Sequence, residues 1–134
     1  MKKDRFIEGF AKLIEYNLTE DKEISTHLKI SENLKDIAPD IEKYIIEFAY
    51  GDIYSRPGLD GKQRALITIS SLVTQGTEPQ LELHINMGLT IGLTSTEIVE
   101  SIIHLIPYTG FPRVLNALTV AKKVFAQRQV PTVM

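Results

Sequence analysis

Cysteine and tryptophan are absent from this chain of 134 residues. Without a thiol, the chain cannot form a disulfide, a thiolate nucleophile or a cysteine-ligated metal site. Thiol-dependent catalysis is therefore excluded for these residues. A reducing compartment is compatible with the composition, and we expect a cytoplasmic location.

Strong net charge and long apolar runs are also missing. Lysine and arginine number 15 and aspartate and glutamate 17, which gives a formal charge of −2. A nearly balanced chain favours neither a nucleic acid nor a membrane surface as a partner. The longest uncharged run, residues 83–96, is shorter than the ~20 residues that a membrane-spanning helix needs. Asp4 and Glu8 interrupt the apolar core that a signal peptide would require.

Hydrophobic residues make up 43% of the chain, which is enough for one domain with its own core. We predict a single domain over residues 1–134, with an N-terminal helix and connection at 1–31 and the core at 32–128. Apolar residues recur at helical spacing and no stretch alternates like a strand, so we predict an all-α fold of about six helices. The predicted helices cover residues 4–18, 39–50, 60–76, 79–92, 94–107 and 112–128.

Local signals set several helix boundaries. In the first helix, Phe6, Phe10 and Leu13 share the predicted buried face. The second helix is expected to end at Gly51, because glycine often follows the last turn of a helix. Residues 19–31 carry mixed charges without a helical period, so we predict a surface connection in which His27 is solvated.

Residues 80–112 carry the most informative pattern, which predicts two helices joined by a tight turn and followed by a sharp corner. Leu81 and Ile85 recur at helical spacing, and His84 beside them should point inward. Gly92 stands where a left-handed residue is wanted at a helix C-terminus. Thr94 and Glu97, three residues apart, then form a capping box for the next helix.

His104 is a second histidine whose position allows it to face inward. It follows Glu100 by one helical turn and precedes Pro107, which ends the helix because proline removes a backbone donor. Two interpretations stay open: an acid/base role, or a structural pair with Glu100.

The segment 52–60 is predicted to be a loop that combines Tyr54, Arg56 and Pro57. A phenol, a bidentate carboxylate binder and a rigid turn are what a ligand-lining loop offers. The alternative is an ordinary connector in which Arg56 pairs with Asp52 or with a neighbouring subunit.

These pieces, in this order, resemble the carboxymuconolactone decarboxylase family, which shares a superfamily with alkylhydroperoxidase D. The resemblance rests on residues 51–60, on Arg64 to residue 68, on His84 with the turn and capping box after it, and on the Tyr-Thr-Gly-Phe-Pro corner at 108–112. Two departures stand out. Thr77 and Gln80 occupy the places of the peroxidase cysteines, and Ala65 replaces a glutamate found in many relatives.

The resemblance implies the alkylhydroperoxidase-D-like fold and a cofactor-free decarboxylase that acts on a small carboxylated ring compound. It implies a homo-oligomer, a trimer or hexamer. From the residues themselves we expect no metal, because His84 and His104 lie on different helices without zinc-ligand spacing, and the charge balance gives no reason to expect a nucleic acid or a membrane as a partner. Because of Ala65, a catalytically silent oligomeric scaffold is the alternative. The residues predicted for the site are His84 and His104 as acid/base groups, and Arg56, Gln80, Tyr108 and Tyr54 for substrate binding.

Overall fold

The computed structural model of the protein describes residues 4–17, 24 and 26–131. These residues form helices and turns and contain no β-strand, which confirms the predicted all-α class. Among them, no helix is both long and apolar enough to span a bilayer. The elements are α1 (Arg5–Asn17), α2 (His27–Asn33), α3 (Ile41–Tyr44), a π-helix (Ile45–Tyr54), α4 (Gly61–Gln75), α5 (Glu78–Ile91), α6 (Ser95–His104), α7 (Ile106–Thr109) and α8 (Phe111–Arg128).

The packing divides the chain into two compact units, Met1–Gly61 and Lys62–Met134. Each of the six predicted helices has a counterpart, and α2 and α7 are additional short helices. The expectation of one domain over residues 1–134 stays a prediction.

In the first unit, α1 and the π-helix pack with their backbones in contact. A Cβ atom on Gly9 would lie 1.8 Å from the carbonyl oxygen of Ile46, and one on Gly51 would lie 2.7 Å from that of Arg5. Gly51 therefore lies within the π-helix and allows the close approach. The prediction that it ends a helix is wrong, because packing and not capping sets its role. The following loop begins at Ser55, not at residue 52.

The buried face of α1 also differs from the prediction. Gly9, Leu13 and Tyr16 are buried, whereas Phe6 and Phe10 are 41% and 39% exposed. Because the side of α1 that carries Gly9 packs against the π-helix, the side that carries Phe6 and Phe10 is left outside this contact. The two phenylalanine rings stack on each other at the surface, with centroids 6.3 Å apart.

The second unit buries a core that α4, α5, α6 and α8 share. In α5, buried residues lie on all sides of the helix, as expected for a helix enclosed by its neighbours. The fully buried aliphatic side chains of this unit are Ile69, Leu81, Leu83, Ile85, Ile98 and Ile102, with Val73, Val114 and Val124.

The predicted signals between α5 and α6 are confirmed. Gly92 ends α5 in the left-handed conformation, with φ of 112°. Thr94 then caps α6: its hydroxyl accepts from the backbone N–H of Glu97 at 3.1 Å, and its own N–H donates to the Glu97 carboxylate at 2.9 Å. The bond from the Thr94 backbone lowers the pKa of the Glu97 carboxyl below its ordinary value. Helix α6 ends at His104, and Pro107 lies in the first turn of the short α7 that follows.

Candidate active site

Helix α5 carries two of the predicted site residues, Gln80 and His84. Gln80 and His84 are one helical turn apart, so their side chains share a face, and both are half-buried. Gly88 continues that face by one more turn. A Cβ atom there would lie 2.9 Å from a methyl of Leu93 and 3.8 Å from the Cβ of Ala65. Glycine therefore lets α4 and the loop after α5 approach this side of the helix.

Ala65 occupies the position at which the family resemblance implies a glutamate. It is 4% exposed and belongs to the apolar core of the second unit. Its methyl group approaches Gly88, one turn from His84 along α5. The methyl group of Ala65 thus lies beside α5, the helix that carries His84, where a glutamate would place a carboxylate.

The corner at 107–112 is fixed to α4 by a hydrogen bond. The hydroxyl groups of Thr109 and Thr74 are 2.9 Å apart. Gly110 takes φ of 98°, a conformation that favours glycine, and the chain then enters α8 with Pro112 in its first turn. Tyr108 is 76% exposed at the outside of this corner.

His104 could have faced inward, but it is exposed. Helix α6 buries Ile98 and Ile102, one turn apart, and residue 104 falls on another side of the helix. The His104 ring faces Tyr108, with ring centroids 5.7 Å apart. Within the described part of the chain, no ion pair joins His104 to Glu100, although both line an open hollow of about 560 Å³.

A separate cavity of about 290 Å³ lies where the end of α4 and the starts of α5 and α8 meet. Pro112 of the corner lines it, together with Arg113 and Leu81. Gln80 and His84 are not among its lining residues.

The other two predicted binding residues belong to the first unit. The Tyr54 ring stacks on Tyr50, with centroids 4.3 Å apart, and meets Tyr16 edge to face at 5.5 Å. Arg56 is exposed and lines a hollow of about 290 Å³ with Asp52. Asp52 accepts two hydrogen bonds from Arg5, at 3.0 and 2.8 Å, so the carboxylate that was an alternative partner for Arg56 is bound by another arginine.

His27 is the titratable residue whose environment the sequence predicted wrongly. It is half-buried at the start of α2, with its Nδ1 atom 3.2 Å from the hydroxyl of Tyr50. Burial lowers the pKa of His27 to about 4, and burial together with the Tyr54 and Tyr16 phenols raises the pKa of Tyr50. The histidine is therefore neutral at neutral pH. Tyr50 lies 23 residues away along the chain, so local sequence carried no signal of this contact.

No group of three or more histidine, aspartate or glutamate side chains within the described ranges is arranged to hold a metal ion. On α5 the candidate site consists of one half-buried histidine and an amide one turn before it.

The profile of the carboxymuconolactone decarboxylase family matches residues 39–123, well over half of the chain. The protein belongs to this family. Over 94 residues it is 38% identical to the 4-carboxymuconolactone decarboxylase of Acinetobacter baylyi, and the alignment covers 70% of each protein. It is 37% identical over 82 residues to the nitrosuccinic acid decarboxylase of Metarhizium robertsii, covering 61% of this chain and 57% of that protein. An uncharacterised 15.0 kDa protein of Paracoccus denitrificans is 34% identical over 96 residues, or 70% and 72% of the two chains.

The region that matches the family profile contains two of the chain's three histidines. It includes His84, His104 and the four predicted binding residues, whereas His27 lies before it. The histidine that contacts Tyr50 thus falls outside the region that matches the family. The roles of the predicted site residues stay predictions.

Proposed function

We propose that this protein is a decarboxylase that acts on a small carboxylated compound without a cofactor. Family membership supports the proposal, since two of its relatives bear the names of decarboxylases of carboxylated compounds. The observation that carries it is the half-buried His84 on α5, within the matched region.

The reaction needs an acid more than it needs a nucleophile. When the bond from the substrate carbon to the carboxylate breaks, carbon dioxide leaves and the electron pair stays on the substrate as an enolate-like carbanion. A protonated His84 would donate its proton to that carbon, which gives the neutral C–H bond of the product. Histidine suits the step because its ordinary pKa allows it to give and accept a proton near neutral pH.

Restoring the proton to His84 is the second requirement. A glutamate at position 65 would offer a relay, but Ala65 is buried and has no proton to give. His84 is only half-buried, so we propose that water returns the proton directly. Gln80, one turn away, would hydrogen-bond the substrate beside the histidine.

The remaining predicted residues keep the substrate-binding roles that the family resemblance implies, each within its own unit. Arg56 suits a carboxylate that the substrate retains, because a guanidinium binds a carboxylate through two parallel hydrogen bonds. Tyr54 and Tyr108 would supply ring surface, and His104, which is exposed, would contribute less than His84.

The proposal is tested by incubating the purified protein with 4-carboxymuconolactone and, separately, with nitrosuccinate. Release of carbon dioxide is followed after dialysis against a chelator, with heat-denatured protein as the control. We expect release with at least one compound, undiminished by the chelator. A protein that is folded but releases no carbon dioxide from either compound would count against the decarboxylase proposal.

The buried Ala65 favours a second candidate, an oligomeric scaffold that keeps the fold without the chemistry. For both candidates we propose a homo-oligomer, since large apolar side chains such as Phe111 and Leu115 are exposed at 60% and 56%. Light scattering that gives the mass of a single chain at micromolar concentration would contradict the oligomer. An oligomer without turnover would favour the scaffold.

A further inference from the structure

The cavity between α4, α5 and α8 combines an apolar floor with a charged rim. Its volume of about 290 Å³ is near the lower end of the range for small-molecule sites. The side chains of Leu72, Val73, Leu81 and Ala117 form the floor. Arg113, Asn116 and Glu78 form the rim. Such a lining suits a compact apolar body that carries a polar group at one end.

Arg113 is held over Gly76 at one side of this cavity. A Cβ atom on Gly76 would lie only 2.0 Å from the Nη1 atom of Arg113, so the guanidinium occupies the space that glycine leaves open. Gly76 also has φ of 75°, which independently favours glycine there. Among the described residues, the Arg113 guanidinium makes no hydrogen bond or ion pair. Its donors are therefore available to a ligand.

Asn116 follows Arg113 by three residues on α8, so both side chains lie on the same side of that helix. An arginine fork and an amide can together bind both oxygens of one carboxylate. Glu78 lines the same cavity from α5, with no ion pair to Arg113. Its negative charge disfavours a ligand that carries a second carboxylate.

We propose that this cavity binds a small ligand with a single carboxylate, in which Arg113 and Asn116 hold the carboxylate and the apolar floor contacts the body. His84 does not line the cavity, and binding here needs no turnover. The site therefore stands whether or not the protein is a decarboxylase.

Three probes that share one ring separate the contributions of charge and shape. Benzoate carries one carboxylate, benzamide is its uncharged counterpart, and terephthalate carries a second carboxylate. Binding to the full chain is measured by amide chemical shifts and calorimetry. We expect benzoate to shift the backbone resonances of Gly76, Arg113 and Asn116, and to bind at least about tenfold more tightly than benzamide.

Two variants at the rim should act in opposite directions. Arg113→Gln should weaken benzoate binding about ten- to a hundredfold, because a charge-assisted hydrogen bond is lost. Glu78→Gln removes the repulsion between Glu78 and the second carboxylate of terephthalate. The affinity for terephthalate should therefore rise by a factor about two- to fivefold larger than the affinity for benzoate. Both side chains are exposed and neither makes a hydrogen bond or an ion pair to another described residue, so both variants should remain folded.

Lys122→Gln is the matched control, since it removes one positive charge from an exposed position further along the same helix. It should leave benzoate affinity unchanged. If Arg113→Gln binds benzoate as tightly as the wild type, or if Lys122→Gln weakens binding equally, the proposed site is wrong. If Glu78→Gln leaves the preference for benzoate over terephthalate unchanged, the single-carboxylate specificity is wrong.

Discussion

The two units of the molecule hold their histidines in different ways. In the first unit, His27 is packed against Tyr50, whose ring in turn contacts Tyr16 and Tyr54. Burial lowers the pKa of His27 to about 4, so it carries no charge at neutral pH. In the second unit, His84 is half-buried on α5 and His104 is exposed at the end of α6. His27 thus has a tyrosine partner within its own unit, whereas His104 is open to solvent.

A histidine that stabilises the fold and a histidine that acts as a general acid need different environments. A histidine whose ring is enclosed and hydrogen-bonded to a buried tyrosine stabilises the fold only while it stays neutral. A general acid must instead bind and release a proton near the working pH. The two tasks require opposite environments, and we expect each unit to respond to a different set of substitutions.

The largest expected change in stability comes from the backbone contact in the first unit. Gly9→Ala places a Cβ atom 1.8 Å from the Ile46 carbonyl oxygen, so α1 and the π-helix must separate. We expect a loss of about 3 kcal/mol in the free energy of unfolding, measured by urea denaturation. Gly58→Ala is the matched control, because its Cβ would have no atom within 4 Å. Equal stability of the two variants would contradict the close packing.

Acid should weaken the first unit through His27. Its pKa falls from an ordinary 6.5 to about 4 on folding, so the unfolded chain binds the proton more readily. The associated stability is fully present above pH 6.5 and is lost as the pH falls towards 4. We expect the wild type to lose about 2 kcal/mol between pH 7 and pH 5 through this residue. The His27→Gln variant should lack that part of the pH dependence, and identical pH profiles would contradict the assignment.

A smaller effect is expected at the capping box of the second unit. Thr94→Ala removes the hydroxyl that accepts from the Glu97 backbone at 3.1 Å. The free energy of unfolding should fall by about 1 kcal/mol, the usual contribution of such a cap. Thr96→Ala, in the first turn of the same helix and exposed, serves as the comparison. If both substitutions have the same effect, the cap contributes nothing of its own.

The helix boundaries of the second unit were predictable because local residues set them. Gly92 needs a positive φ, Thr94 and Glu97 satisfy each other's backbone groups, and Pro107 removes a donor wherever it stands. Each of these signals acts over a few residues, so the sequence contains all that is needed to interpret them.

The first unit was harder to predict because contacts distant in sequence decide it. Gly51 was predicted to end a helix, but it lies inside the π-helix, where it approaches the backbone of Arg5. His27 looked solvated because Tyr50, the residue that encloses it, is far along the chain. The same limit applies to the cavity between α4, α5 and α8, because the position of Arg113 over Gly76 depends on a contact between residues that are distant in sequence. Family resemblance pointed to His84, and its catalytic role stays a prediction.

The most direct test of the account measures turnover and stability together for two variants of the same kind. With a substrate that the wild type decarboxylates, His84→Gln should lower kcat about a hundredfold or more and leave the free energy of unfolding nearly unchanged. His27→Gln should do the reverse, with near wild-type kcat and altered stability. Full activity in folded His84→Gln, or a comparable loss of kcat in folded His27→Gln, would contradict the division of roles between the two histidines.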